Sequence, residues 1–262
     1  GRTPLAEAAL MGRQYVVRIL LERSDVDPNK PDYNGRTPLS WATDEEDNTV
    51  VKVLLERKDV NPDAPDDDGR TPLSWAAEKG FEATVKLLLE RKDISHDKPD
   101  NDGYTPLSWA AKHGCEAAVK LLLGLKDINP NRQAALGNTP LLVAAQQGNT
   151  GVVKLLLERR DEEIIADIMD DYRSTPPLAA AGEGHDEVVK LLPAREDVQA
   201  DRPNDGDQTP LLCAAECGHA GVVKLLLERT DVDSKRRNVW GETPISAAAL
   251  WGHMEVVKLL VG

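Results

Sequence analysis

Apolar residues along this chain come in two short bursts followed by a polar stretch, and the cycle repeats from end to end. Residues 69–102, "GRTPLSWAAEKGFEATVKLLLERKDISHDKPDND", are one such cycle. Thr71 is placed to cap a helix whose first turn accepts Pro72, because the proline nitrogen would have no intrahelical partner there. Leu73, Ala76 and Ala77 fall three and four apart on one face, where alanine lets a neighbouring helix approach closely. Gly80 can adopt positive φ at the helix end. Val85, Leu87, Leu88 and Leu89 then mark a second, more apolar helix. In the preceding cycle, "ERKDVNPDAPDDDG" (56–69) is rich in Asp, Pro, Asn and Gly and predicts an extended loop closing in a tight turn. The pattern predicts pairs of short antiparallel helices joined by projecting loop or β-hairpin tips.

The period is explicit. Thr-Pro occurs at Thr3, Thr37, Thr71, Thr105, Thr139, Thr175, Thr209 and Thr243, in steps of 34 residues except for one of 36 between Thr139 and Thr175. Eight copies, starting near residues 1, 35, 69, 103, 137, 173, 207 and 241, fill the chain as a single domain, 1–262. One helix pair buries too little apolar surface to offset its ordering entropy, so copies must stack into an elongated all-α solenoid in which contacts are nearly all between neighbours. Aromatic residues make up only 4% of the chain, with a single Phe, so Leu, Val and Ala must supply the burial. The sequence lacks an initiator Met and opens in "GRTPL", the phrase that recurs inside it, which reads as an excision from a longer protein.

With T-P-L, the A-A pair, the glycine and V-V-K-L-L-L held at fixed mutual spacing over the whole chain, the sequence resembles an ankyrin-repeat array. That resemblance implies L-shaped repeats, helix pairs in a curved stack with tips to one side, a concave surface that binds proteins, and no catalysis. The chain departs from the family's usual 33-residue repeat. "ERKDVNP" stands in place of Gly-Ala-Asp, and the usual His after T-P-L is Ser40, Ser74, Ser108 and Ser246 or Leu142, Leu178 and Leu212. This 34-residue dialect resembles arrays in large fungal multidomain proteins, including receptor-like nucleotide-binding proteins. The terminal copies lack the polar faces of capping repeats, which implies further repeats or another domain at both ends.

Charge narrows the partner. Asp and Glu outnumber Lys and Arg 45 to 32, a net charge of −13, which repels nucleic acid and anionic lipid. No apolar run approaches the roughly 20 residues of a membrane span. Three cysteines are too few for a secreted disulfide framework of this size and favour a reducing compartment, the cytoplasm, with the nucleus as alternative.

Positions that hold the stack recur, so positions that vary are where a partner would be read. Trp75 lies roughly 200° round the first helix from Leu73, and Glu78 and Lys79 join it on the side away from the partner helix. This is the side the resemblance makes concave. In copies two to four it carries Trp41, Asp44 and Glu45, then Trp75, Glu78 and Lys79, then Trp109, Lys112 and His113. The tips add Tyr33, Asp67, Asp68, Arg70 and Tyr104. Between Gly35 and Asp68 ten acids face four bases, nearly half the net charge of the chain. The acidic run begins at Asp44 and puts Glu46 in the glycine position, which demands positive φ or a remodelled turn. Carboxylates beside indole faces suit a cation, so these residues are the candidate site for a protein partner bearing a basic, Lys- or Arg-containing segment. The competing reading packs each Trp between adjacent first helices and leaves the acids solvated. An enzyme or small-molecule binder using the Trp-acid groove of copies two to four is the alternative function.

Chemistry has little else to stand on. His185, His219 and His253 recur ten residues after the repeat Thr, a position Phe81 and Cys115 fill elsewhere, which marks a structural role. Cys213 and Cys217 lie four apart with His219 near, a spacing that is no standard zinc finger. No catalytic residue, metal site or cofactor is expected. Copies six and seven are expected to be least stable: the 36-residue step, Arg173 at the tip glycine position, Pro177 in place of the T-P-L leucine and Pro193 inside the second helix all fall there.

Overall fold

The computed structural model describes residues 1–45, 48–159, 164–195 and 197–262. The expectation for Glu46 and its neighbour Asp47 lies outside the described residues, as does part of the long step before copy six, at 160–163. The chain divides into two compact units, Gly1–Asn129 and Pro130–Gly262, and the eight expected copies fall four to each. All regular structure among the described residues is helical, and the expected hairpin tips are tight turns without strands.

In the first unit the helix pairs are α1 (Pro4–Leu10) with α2 (Gln14–Glu22), α3 (Pro38–Asp44) with α4 (Asn48–Leu55), α5 (Pro72–Lys79) with α6 (Glu82–Leu89), and α7 (Pro106–Lys112) with α8 (Glu116–Leu123). First helices pack on first helices, α1 on α3, α3 on α5 and α5 on α7, and second helices follow the same order. The second unit repeats the scheme with α9 (Pro140–Gln146), α10 (Thr150–Leu157), α11 (Pro176–Gly182), α12 (Asp186–Leu191), α13 (Pro210–Cys217), α14 (Ala220–Leu227), α15 (Pro244–Leu250) and α16 (Met254–Val261).

Each first helix starts as its sequence requires. The eight repeat threonines cap them, each Oγ1 accepting the N–H three residues on at 3.1–3.4 Å, with proline at the position that has no N–H to lose. Leu73, Ala76, Ala77, Val85 and Leu88 are fully buried, while Leu87 and Leu89 are half-buried. Gly218 shows why the helix-to-helix turn needs glycine: its φ is 81°, and a Cβ there would sit 2.5 Å from the His253 ring. That ring is held by the copy before it, since His253 Nε2 lies 2.9 Å from the Glu216 carbonyl. His185 and His219 bind the Gln146 and Gly182 carbonyls in the same way. Cys115 does so with its thiol, which donates to the Glu78 carbonyl at 3.3 Å. The recurrent histidines are stacking devices.

The segment that departs from the family pattern has its own role. Arg91 pairs with Asp93 and donates to the Leu55 carbonyl at the end of the preceding copy's second helix and to the Arg57 and Val60 carbonyls in the segment that follows it. Arg57, Arg195 and Arg229 reach back to Leu21, Leu157 and Pro193 in the same register. A cation on the last carbonyls of a helix opposes the negative end of its dipole. The arginine of this segment thereby fastens the second helices of copies one, two, five and six to the copy that follows.

Copy six carries the expected irregularities. Helix α12 is only six residues long and ends in a 3-10 turn, Leu192–Ala194, which absorbs Pro193. Arg173 sits at φ 59°, and Leu136 and Asp207 join it at 61° and 54°; all three belong to the second unit.

Candidate functional site

Each tip of the first unit is a turn closed on itself, then tied to its helix by one carboxylate. Asp66 donates its N–H to the Arg70 carbonyl at 3.0 Å, and its Oδ1 accepts from the Asp68 and Arg70 N–H groups. Its Oδ2 accepts the Trp75 indole N–H at 2.9 Å. Asp32 holds Trp41 at 2.9 Å and Asp100 holds Trp109 at 2.8 Å in the same way. Burial pushes the Asp32 carboxyl up, but the Asn34 and Arg36 N–H groups, the Trp41 indole and the Arg36 charge outweigh it and hold the group below its ordinary value.

The indole rings so fixed are interleaved with arginines. The Arg36 guanidinium stands 3.7 Å from the centre of the Trp41 ring and 4.4 Å from that of Trp75; Arg70 stands 3.6 Å from Trp75 and 4.1 Å from Trp109. Arg2 covers Trp41 at 4.7 Å. The result is a ladder, Arg2–Trp41–Arg36–Trp75–Arg70–Trp109, running through all four copies of the unit. At its far end Trp109 meets Tyr104 and His113, with ring centres 5.2 and 5.8 Å away, and Lys112 at 5.1 Å.

Two acids of the candidate site balance the ladder's charge. Arg36 donates to Asp44 at 3.2 Å and to the Ser40 carbonyl at 3.1 Å, and Lys79 lies 3.3 Å from the other Asp44 oxygen. Arg70 pairs with Glu78, whose second oxygen lies 3.6 Å from His113 Nε2. Both arginines are buried to 8% exposure. A guanidinium survives there because its flat faces stack on indoles while its edge meets a carboxylate, an arrangement lysine could not reproduce. Trp41, Trp75, Trp109, Asp44, Glu78, Arg70, Tyr104, Lys112 and His113 are thus brought together. Tyr33 (88% exposed), Glu45, Asp67 and Asp68 point outward beside them, with Asp67 and Asp68 using only backbone groups to link their tip to the Asn34 and Asn101 tips.

This arrangement changes what the sequence suggested. The indole faces expected to meet an incoming cation carry the protein's own arginines, and Asp44 and Glu78 are spent on those arginines rather than solvated. Arg2, Arg36, Asp32, Asp66 and Asp100 were absent from the sequence-derived site. Their signal was there: Arg recurs one residue before Thr3, Thr37 and Thr71, and Asp recurs five residues before Thr37, Thr71 and Thr105, just where Trp follows four residues after.

Other chemistry finds no support in the geometry. Cys213 is half-buried, and burial pushes its thiol up to about 12, so it stays protonated at neutral pH. No group of metal-binding side chains gathers among the described residues. A hollow of about 300 Å³ opens in the first copy, and its lining, which includes Leu5, Leu20, Arg23 and Val26, contains none of the ladder residues. No helix among the described residues is long and apolar enough to cross a membrane.

Paired short helices, threonine caps, the turn glycine and the tip turns together define an ankyrin-type repeat. The family model for ankyrin repeats, taken three at a time, matches residues 1–66, 49–134, 125–202 and 178–262, which spans the chain. The chain belongs to the ankyrin-repeat family. Its members are generally protein–protein interaction modules and are typically non-catalytic. Among curated proteins none matches the chain closely enough to stand as a relative.

Proposed function

We propose that the chain is a non-catalytic recognition module that binds a Lys- or Arg-bearing protein segment on the tip and first-helix face of copies two to four. The observation that carries this reading is the division of labour among the acids. Asp44 and Glu78 are consumed in holding the ladder, whereas Glu45, Asp67 and Asp68 stand exposed beside it on a support fixed by indoles and guanidiniums. A rigid support lowers the ordering cost of binding. Tyr33, and the edges of the Trp41, Trp75 and Trp109 rings left between the arginines, supply apolar area next to that charge. Lys79 and His113, both exposed, and the half-buried Lys112 would pair with the partner's own acids. A small molecule slotted between the indoles, the alternative occupant, would have to displace arginines that are already paired. Free thiols at Cys115, Cys213 and Cys217 suit work in the reducing cytoplasm.

The test is a binding titration with a Lys/Arg-rich peptide library at two salt concentrations, against the wild-type chain and a Glu45→Gln, Asp67→Asn, Asp68→Asn variant. Exposed charge pairs contribute about 0.2–1 kcal/mol each, so the best binders should weaken about tenfold in the variant and weaken further with salt. Binding that is unchanged in the variant would reject this face.

A further inference from the structure

The tips of the second unit carry apolar side chains where those of the first carry amides and acids. Just before the tip glycine position the first unit has Asn34, Asp68 and Asp102, whereas the second has Leu136, Tyr172, Gly206 and Trp240. Leu136, Tyr172 and Trp240 are 54%, 61% and 69% exposed. Asp68 and Tyr172 are open although each has a bonded tip on both sides within its unit, so exposure belongs to the position itself. Leu136 is also held at φ 61°, which strains a bulky residue. Apolar surface kept outward on a polar protein marks an interaction site.

The backbone beneath limits what can dock there. Every N–H from Asp170 to Ser174 is spent inside the stack. Those of Asp170 and Arg173 bond within the turn, those of Tyr172 and Ser174 go to Asp170 Oδ1, and that of Asp171 goes to the Leu136 carbonyl of the preceding tip. Asn204 to Gln208 and Asn238 to Glu242 repeat the scheme, with Asp205 bonded to the Tyr172 carbonyl and Val239 to that of Gly206. An incoming strand therefore finds no row of free backbone groups to pair with. What the rings themselves offer is side-chain donors, the Tyr172 hydroxyl and the Trp240 indole N–H. Charge does not select a partner either, because Arg173 is matched by Asp205 at 3.7 Å and Arg236 by Asp207 at 3.9 Å. Gly206 puts no side chain between the Tyr172 and Trp240 tips, and the Trp240 ring lies back toward it: a Cβ on Gly206 would sit 3.7 Å from Trp240 Cη2.

We infer that an uncharged, proline-rich segment of a partner protein docks on the second-unit tips, its pyrrolidine rings against Leu136, Tyr172 and Trp240 and its carbonyls accepting from the Tyr172 hydroxyl and the Trp240 indole. Proline brings no N–H that would need an acceptor at a tip whose carbonyls are already taken. Its extended left-handed helix has no internal hydrogen bonds, so its carbonyls are free to accept, and it is formed before binding, which lowers the ordering cost. Aromatic side chains are the surface on which such helices are read. The site is separate from the face proposed for a Lys- or Arg-bearing segment and does not rest on that reading.

Fluorescence anisotropy of a labelled oligoproline peptide titrated with the full chain tests this, with Gly/Ser and oligoglutamate peptides of the same length as comparisons. Oligoproline should bind saturably and more tightly than either. Trp240→Ala and Tyr172→Ala, checked for folding by circular dichroism, should each weaken it about tenfold, as expected for anchor residues. The Glu45→Gln, Asp67→Asn, Asp68→Asn variant should bind oligoproline as the wild type does, which keeps this site distinct from the acidic face. In heteronuclear NMR spectra the Trp240 indole signal should shift on binding while those of Trp41, Trp75 and Trp109 stay in place. Absence of saturable binding, equal binding of the Gly/Ser peptide, or binding that survives both ring substitutions would overturn the inference. Tighter binding of oligoglutamate would overturn it as well and give these tips to an acidic partner.

Discussion

The first and second units build the same tip and fill it differently. In the first, Asp32, Asp66 and Asp100 each grip a tryptophan; arginines of its own and the preceding copy sandwich Trp41 and Trp75, and Trp109 lies between Arg70 of the preceding copy and its own Tyr104 and Lys112, so one interaction chain threads four copies. In the second, Asp170 makes the same turn, accepting the Tyr172 and Ser174 N–H groups, but Ala179 stands where the indole would be and burial pushes the Asp170 carboxyl up. Asn204 and Asn238 take over in the next two tips and bind Gln208 and Glu242 instead. Among the described residues, the three non-glycine positions at positive φ, Leu136, Arg173 and Asp207, all belong to the second unit. One backbone plan thus supports a cross-braced face in one unit and a plainer, more strained one in the other. The difference lies in side chains that the repeat itself does not prescribe.

The most disruptive way to erase that difference is Trp75→Ala, which removes the central rung and leaves Arg36 and Arg70 facing a void. Loss of about 3 kcal/mol is expected in urea unfolding. A gentler probe is Arg36→Lys, which keeps the charge but gives up the flat face shared by Trp41 and Trp75 and the two-point contact with Asp44 and Ser40. It should cost about 1–2 kcal/mol in the same assay. The converse change, Leu136→Gly in the second unit, should stabilise by about 1 kcal/mol by relieving the left-handed backbone. Exchange of amide protons should be faster in copies six and seven than in copies two to four, and uniform protection would remove the stability contrast.

Acid separates the units by sign. Asp32 sits below its ordinary value in the first unit, held there against burial by its hydrogen bonds. Asp25, Asp59 and Asp93 are lowered too, chiefly by their arginine partners. A carboxyl lowered on folding contributes stability above its unfolded value, and that contribution is lost as pH falls through the folded one. In the second unit burial raises Asp167, Asp170 and Asp201. Those groups cost stability at neutral pH, and protonation relieves the cost, which partly offsets the loss from the lowered Asp197 and Asp231. With Trp240 and Trp251 changed to Phe, tryptophan fluorescence reports the first unit alone. Its acid transition should come at higher pH than the loss of helical circular dichroism, and coincident transitions would count against the assignment.

The fold was legible because its signals are local and periodic: a threonine cap, a proline, an alanine pair and a turn glycine each act within one copy. The ladder was half legible. Helical geometry put Trp75, Glu78 and Lys79 on one side correctly, but it says nothing about Arg36, which reaches Trp75 across a copy boundary 39 residues away. Nor does it reveal that Asp66 grips Trp75 across the junction between tip and helix, where neither helix nor strand period applies. Asp207 at positive φ was missed as well, since aspartate in a turn raises no alarm where Arg173 does.

The central claim is that Arg36 and Trp75, from successive copies, stabilise one another. A double-mutant cycle measures that directly, using Arg36→Ala, Trp75→Ala and the pair in urea unfolding. A coupling of about 1 kcal/mol is expected for a buried guanidinium stacked on a half-buried indole. A coupling of zero within error would mean that the two merely lie side by side and that the first unit is held by its leucines and valines alone.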